Sequence, residues 1–191
     1  MRLIGVTGGI GSGKSVVCRI CALRGLPVYD CDSRARQLMD ESDAIKAELC
    51  RVSGTDVLTC EGGVDRSLLA GLIFSSEHMR MSVNAIVHEA VRHDLASWVS
   101  ALRVNTALLE SAVLHTSGLD MLVDEIWLVT APRELRVGRV MRRSGLSRGQ
   151  VEARISAQEH EFSGLPRRKV RRIVNDGAVS LLAALPEYGE I

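Results

Sequence analysis

The sequence predicts an α/β fold in which a central parallel β-sheet is covered by helices on both faces. Short apolar segments alternate with segments of helical periodicity along the 191 residues, and this alternation is typical of parallel sheets. A glycine-rich turn joins the first predicted strand to the first predicted helix. One long helical stretch interrupts the alternation. We therefore expect a single domain, residues 1–191, that carries an inserted helical region.

Five segments have the length and the apolar character of buried strands. They are short runs rich in Val, Ile and Leu, with few of the alternating polar residues that a half-exposed strand shows. In chain order, these predicted strands are Arg2–Thr7, Leu26–Tyr29, Asn105–Leu114, Glu125–Thr130 and Arg172–Asn175.

Capping residues indicate where the helices between these strands begin and end. Gly25 can end the first helix, Pro132 suits the start of a later one, and Ser147 is a good N-cap. The predicted helices outside the insertion run from about Gly13 to Arg24, from Arg133 to Ser144, from Ser147 to about His160, and onwards from Gly177.

The stretch between the second and third strands, residues 33–103, has helical periodicity and almost no strand signal. Its Ser53–Asp65 portion has the composition of a loop. The stretch is too long for a simple crossover between parallel strands, so we expect an inserted helical subdomain.

The charge is unevenly distributed, although the net charge is only +1. Between Arg133 and Arg172, twelve Arg or Lys residues face four Asp or Glu residues. Such a block is compatible with nucleic-acid binding or with a flap that closes on polyphosphate. Aromatic residues make up only 3% of the chain, so no platform for stacking bases is evident. We favour the flap and expect no nucleic-acid partner.

No apolar run reaches the ~18 residues of a membrane span, and the first residues lack the pattern of a signal peptide. We expect a cytoplasmic protein without membrane association. The five cysteines follow no disulfide framework and are expected to be reduced. Cys18 and Cys21 form a CxxC pair inside a predicted helix, and no second pair accompanies them. We interpret them as packing residues and not as zinc ligands.

The turn after the first strand matches the phosphate-binding pattern GxxxxGK[ST], with a strand before it and a helix after it. Glycines allow backbone N–H groups to turn inward as an anion nest, and the helix N-terminus adds a favourable dipole. Lys14 can reach the β- and γ-phosphates, and the Ser15 hydroxyl can ligate Mg²⁺. The expected nucleotide-binding residues here are Gly9, Ile10, Gly11, Ser12, Gly13, Lys14, Ser15 and Val16.

Two other nucleotide-binding classes are excluded. No GxGxxG fits these glycines in register, which argues against a dinucleotide fold. The guanine-reading Asn-Lys-x-Asp motif is also absent, because the three lysines (Lys14, Lys46 and Lys169) follow Gly, Ile and Arg.

Asp30 and Asp32 lie at the predicted carboxyl end of a strand beside the phosphate-binding loop, where open α/β sheets bind ligands. One of them could accept a proton from an attacking hydroxyl. On the residues alone, capping of the next helix explains them equally well.

Together these motifs resemble the dephospho-coenzyme A kinase family. The phosphate-binding loop TGGIGSGKS is followed, after one helix, by a strand that ends in Asp-x-Asp-x-x-Ala-Arg at 30–36. The resemblance continues at Arg66 with Ile73-Phe74, Asn84–His88, Glu110–Leu114, Arg139 with Arg143, Arg154 with Gln158, and Val174–Gly177.

The resemblance implies a three-layer P-loop fold and transfer of phosphate from ATP, with Mg²⁺, to the ribose 3′-hydroxyl of dephospho-CoA. Asp32 would be the general base, and Arg139 and Arg143 would belong to a helical lid at about 133–160. The insertion would hold the acceptor. Asn175 and Gly177 would lie beside the adenine. The implied substrate-binding residues are Asp32, Arg36, Arg66, His88 and Glu110.

Several positions depart from the family pattern. They remove no phosphate-handling group, but they affect the expected acceptor pocket and one strand of the sheet. The departing residues are Val16, Glu89, Ala112, Thr116 and the pair Arg171-Arg172.

Alternatives remain for individual residues and for the activity. Arg142 could be a solvated lid residue, His88 a helix-packing histidine and Glu110 a buried cap. The chain could instead be a kinase for a nucleoside monophosphate or a sugar acid, or a regulator that binds ATP without transferring phosphate. The substrates expected are ATP and dephospho-CoA, with a monomer favoured.

Overall fold

The computed structural model describes residues 1–186. These residues form two compact units, one made of residues 1–30 and 104–186 and the other of residues 31–103. Each unit has its own apolar core.

The first unit contains a five-stranded sheet in which every neighbouring pair is parallel, and this confirms the predicted parallel sheet. The strand order is β2-β3-β1-β4-β5. The strands are β1 (Arg2–Thr7), β2 (Val28–Asp30), β3 (Thr106–Glu110), β4 (Glu125–Thr130) and β5 (Val170–Val174).

The helices flank the sheet in the first unit and make up most of the second. In chain order they are α1 (Lys14–Leu23), α2 (Cys31–Glu41), α3 (Asp43–Ser53), α4 (Arg66–Ser75), α5 (Glu77–Ala101), α6 (Arg133–Ser144), α7 (Arg148–Ala157), α8 (Glu159–Ser163) and α9 (Leu181–Ala184).

Several element boundaries differ from the sequence prediction. The second strand is shifted to Val28–Asp30, and the last helix begins at Leu181 and not at Gly177. The third strand ends at Glu110, because the Ser111 hydroxyl accepts the Val113 N–H at 3.1 Å and turns the chain. The predicted helix to His160 breaks after Ala157 into α7 and α8. The last strand begins at Val170, two residues before the predicted start.

The order of the strands was not predicted. The second strand does not lie beside the strand that leads into the phosphate-binding loop, because β3 lies between β2 and β1. The chain returns from the 31–103 unit into this central position, and β3 there pairs with both neighbours.

The core of the first unit packs β1, β3, β4 and β5 against α1. Its members include Ile4, Leu108 and Trp127, all with no exposed surface. Cys18 and Cys21 belong to the same core as free thiols, in agreement with a packing role.

The second unit is a cluster of four helices, α2 to α5, around a separate core that includes Leu49, Val57 and Leu69. Side-chain caps at Ser42, Asp65 and Ser76 begin α3, α4 and α5. These caps satisfy N–H groups that a helix start leaves open. Within residues 1–186, no helix combines the length and apolar character needed to cross a membrane.

Candidate active site

The phosphate-binding loop follows β1 at the carboxyl edge of the sheet and leads directly into α1. Two of its glycines are in the left-handed region, with φ of 78° at Gly11 and 100° at Gly13. Both are also tightly enclosed. A Cβ at Gly11 would meet the backbone oxygen of Arg136 at 2.6 Å, and one at Gly13 would meet Asn175 Nδ2 at 2.2 Å. Glycine is therefore required at both positions for conformational and steric reasons.

This loop presents backbone donors to a ligand. The Ser12 N–H closes a turn on the Gly9 carbonyl at 3.0 Å. The N–H groups of Gly11 and Gly13 have no acceptor among residues 1–186. Together with the N-terminus of α1, they form the kind of anion nest that holds phosphate.

Ser15, on the first turn of α1, is joined to the acid at the end of β3. Its hydroxyl donates to Glu110 Oε1 at 2.7 Å. The pairing of β1 with β3 places Glu110 opposite Val6, close to the start of the loop. A hydroxyl and a carboxylate oxygen at this separation form a hard-oxygen pair, which suits Mg²⁺. This contact supports an acidic role for Glu110 at the nucleotide and not a helix cap.

Cys18 lies one turn after Ser15 on α1. Burial and the adjacent Glu110 carboxylate raise the pKa of the Cys18 thiol well above its ordinary value. The thiol therefore stays protonated and unreactive behind the site.

Two side chains that were not among the predicted site residues hold Ile10 of the loop. Gln158 Oε1 accepts the Ile10 N–H at 2.8 Å, and Arg136 Nε donates to the Ile10 carbonyl at 2.9 Å. The Arg136 guanidinium lies so close to Gly9 that a Cβ there would meet its Nη2 at 2.2 Å. Burial, together with Arg133, lowers the pKa of Arg136. Both residues brace the loop from the helices α6 to α8.

Arg139 and Asn175 form a further brace between α6, the loop and the end of β5. Arg139 donates to the Gly11 carbonyl at 3.4 Å and to Asn175 Oδ1 at 3.3 Å. Asn175 Nδ2 in turn donates to the Ser12 carbonyl at 2.8 Å. The amide of Asn175 is thus committed to the loop, and the neighbouring Gly177 turns the chain with φ of 86°.

The other arginines on the same face of α6 make no hydrogen bond to the loop. Arg142 and Arg143 are exposed, and neither has a hydrogen-bond or ion-pair partner in the described part of the chain. Within the basic segment Arg133–Arg172, Arg136 and Arg139 are thus bonded to the loop, whereas Arg142 and Arg143 are open to solvent.

The two aspartates occupy different elements. Asp30 is the last residue of β2 and lies opposite Glu110 in the pairing with β3. Asp32 lies in the first turn of α2 in the second unit, where it is exposed. Its role as a base stays a prediction.

The remaining candidates belong to the second unit. Arg36 is an exposed residue of α2, and Arg66 at the start of α4 donates to the Arg36 carbonyl at 3.3 Å and pairs with Asp40. His88 lies half-buried on α5, where burial and then Arg92 lower its pKa, so the imidazole is neutral at pH 7.

The family model for dephospho-CoA kinase matches residues 2–179, nearly the whole of the chain. The chain belongs to the dephospho-CoA kinase family. The match covers the phosphate-binding loop, the 31–103 unit and β5 together.

Individual relatives and solved structures agree with this assignment. The dephospho-CoA kinase of Porphyromonas gingivalis is 42% identical over 163 residues, covering 85% of this chain and 80% of that protein. TT1252 from Thermus thermophilus, a crystal structure, superposes with a TM-score of 0.81 at 35% identity, covering 96% of this chain and 93% of that one. The dephospho-CoA kinase from Campylobacter jejuni has a TM-score of 0.65 at 22% identity, covering 93% and 91%, and supports the fold.

Sequence reasoning missed the residues that support the loop from a distance. Gln158 stands in the Arg-Ile-x-x-Gln pattern of the family resemblance, and that pattern was a usable signal. Arg136 carried no such signal. Its contact with Ile10 spans 126 positions of the chain and becomes visible only in the fold.

Proposed function

We propose that this chain phosphorylates the ribose 3′-hydroxyl of dephospho-CoA with ATP and Mg²⁺, which yields coenzyme A. The observation that carries the proposal is the braced phosphate-binding loop, with Lys14 and the Ser15–Glu110 pair at its end, in a member of the dephospho-CoA kinase family. Kinase activity and the use of ATP follow from the family. The hydroxyl that is attacked and the metal belong to the proposal.

The residues present fit Mg-ATP. The open N–H groups of Gly11 and Gly13 would hold phosphate oxygens, with Lys14 adding a positive charge. Ser15 and Glu110 would hold Mg²⁺, directly or through water, and the ion would neutralise charge on the β- and γ-phosphates. Asn175, by fixing Ser12, would keep the loop in its binding shape.

Phosphoryl transfer depends mainly on positioning and on charge neutralisation. Lys14 and Arg139 lie at the loop before any ligand arrives, whereas the exposed Arg143 is able to approach when the lid closes. Asp32 would accept the proton of the attacking 3′-hydroxyl. We assign the lid to residues 133–160.

The acceptor would be held by the inserted helical region at about 33–103, which lies within the 31–103 unit. Arg36 and Arg66 would supply positive charge for the pyrophosphate of dephospho-CoA, and the neutral His88 a hydrogen bond. We propose that the enzyme acts as a monomer in the cytoplasm.

A coupled assay of ADP release with a panel of acceptors tests this function. We expect rapid turnover with dephospho-CoA and turnover at least 100-fold slower with a nucleoside monophosphate, gluconate or shikimate, because these smaller acceptors would lack the contacts proposed for dephospho-CoA. Lys14→Ala run in parallel controls for a contaminating kinase. Faster turnover with another acceptor would replace the substrate, and ATP binding without turnover on any acceptor would favour the regulator.

A further inference from the structure

The amino edge of the parallel sheet carries a second positively charged site, on the side away from the phosphate-binding loop. A cavity of about 310 Å³ opens there between the starts of β1, β4 and β5. It is lined by Arg2, Asp124, Glu125, Arg168, Lys169, Val170 and Arg171. β1 separates this cavity from the loop by six residues, or about 20 Å at the rise of an extended strand.

The acids of this cavity are already engaged. Asp124 Oδ2 accepts the Leu3 N–H at 2.7 Å, and Glu125 is paired with Arg2. The Lys169 ammonium donates to the Val123 carbonyl at 2.7 Å and so holds the segment that leads into β4. These contacts shape the cavity and hold both carboxylates in its wall.

Two cations of the cavity are uncommitted. Arg168 and Arg171 are exposed, and neither has a hydrogen-bond or ion-pair partner among residues 1–186. Arg168 lies in the single 3-10 turn Arg167–Lys169, and Arg171 lies on β5, the last strand of the sheet. Guanidinium groups present planar forks of N–H donors that match phosphate oxygens.

We propose that this cavity binds a small phosphate-bearing anion, at a site distinct from the ATP site. Four of the seven lining residues are cationic and two are acidic, so the lining carries an excess of two positive charges, with Arg2 and Glu125 paired to each other. The lining contains no aromatic side chain on which a base could stack, so a phosphate group and not a nucleic-acid strand is the part that is recognised. Charge protection of the edge strand β5 would explain Arg171 but not its convergence with Arg2 and Arg168.

The test uses inorganic phosphate as the probe, with the ATP site filled by a non-hydrolysable ATP analogue and Mg²⁺. Backbone amide shifts of Val170 and Arg171 in ¹H–¹⁵N spectra would report binding. We expect saturable shifts with a dissociation constant on the order of 1 mM. The double variant Arg168→Ala/Arg171→Ala should weaken binding at least about tenfold, because each lost arginine removes a charge-assisted contact.

The flanking arginines provide a control of the same charge. Arg167 and Arg172 are exposed and do not line the cavity, so Arg167→Ala/Arg172→Ala should change phosphate affinity less than about threefold. Both double variants should retain wild-type kcat with dephospho-CoA. Equal weakening by the two variants, or shifts that never saturate, would overturn the site. Micromolar binding of a ten-nucleotide single-stranded DNA at the same amides would overturn the small-anion assignment.

Discussion

The two units organise their candidate residues in opposite ways. In the sheet unit, functional side chains bond to partners far along the chain, as Ser15 does with Glu110, Ile10 with Gln158, and Asn175 with Ser12. In the 31–103 unit, Arg66 pairs with Asp40 within the unit and is exposed. The phosphate-binding loop is thus held by contacts between elements of the sheet unit, whereas Arg36 and Arg66 are exposed on helices of the other unit.

The largest loss of activity should come from a substitution in the phosphate-binding loop. Lys14→Ala should lower kcat about 10³-fold, because it removes a charge that faces the transferring phosphoryl group. Steady-state kinetics with dephospho-CoA measure this, and a melting curve should stay within about 2 °C of wild type. Lys46→Ala on α3, which removes a lysine whose side chain is 15% exposed and pairs with Asp43, is the matched control and should leave kcat unchanged. Near-normal turnover of Lys14→Ala would break the assignment.

The next effect tests whether the helical unit contributes chemistry as well as binding. Asp32→Asn should reduce kcat by about 10²–10⁴-fold while Mg-ATP and dephospho-CoA still bind, because only the proton acceptor is lost. Asp30→Asn at the end of β2 is the partner variant, and it should lose less activity and more stability. Single-turnover kinetics and calorimetric binding separate these outcomes. If the two variants exchange behaviours, the base is Asp30.

A third prediction divides the lid arginines by their present contacts. Arg143→Ala should lower kcat about 10–100-fold without changing Tm, since Arg143 has no partner within residues 1–186. Arg139→Ala should lower kcat similarly and also lower Tm by about 2–4 °C, because it loses its bonds to Gly11 and Asn175. Arg142→Ala tests the solvated alternative and should leave both quantities unchanged. A rise in the KM for dephospho-CoA at constant kcat would mark either residue as a plain binding contact.

The smallest effect concerns acceptor binding. Arg66→Ala should raise the KM for dephospho-CoA about tenfold and leave the KM for ATP unchanged, because it removes one charge-assisted contact to the acceptor. Arg80→Ala on α5 removes another exposed arginine of the same unit, one that is paired with Glu77, and should change neither constant. A change in the KM for ATP in Arg66→Ala would contradict the proposal that the helical unit binds the acceptor and the sheet unit binds ATP.

Local patterns made the sheet and the phosphate-binding loop predictable. The β4 and α6 boundaries agree with the predicted segments Glu125–Thr130 and Arg133–Ser144, because an apolar run and a proline-initiated helix are signals within a few residues. The order of the strands in the sheet was harder to predict from local patterns. Local patterns do not show where a strand that follows a long insertion returns to the sheet, so the position of β3 between β2 and β1 could not be predicted.

The site was predictable to the extent that its residues belong to contiguous motifs. Lys14 and Ser15 lie in such a motif, and the Ser15 contact adds evidence for the acid at Glu110. The bracing residues could not be found in this way, because the contact of Arg136 with Ile10 depends on how α6 packs over the loop. The roles of Asp32, Arg36, Arg66 and His88 remain predictions.

The fluorescence of the two tryptophans can report separately on the unfolding of the two units, because each unit contains one of them. Trp127 has no exposed surface at the centre of the sheet, and Trp98 is half-buried on α5. With only these two indoles present, Trp98→Phe leaves a fluorophore that reports on the sheet unit, and Trp127→Phe leaves one that reports on the helical unit. Denaturation curves of the two variants would coincide for one cooperative transition and separate if the units melt independently.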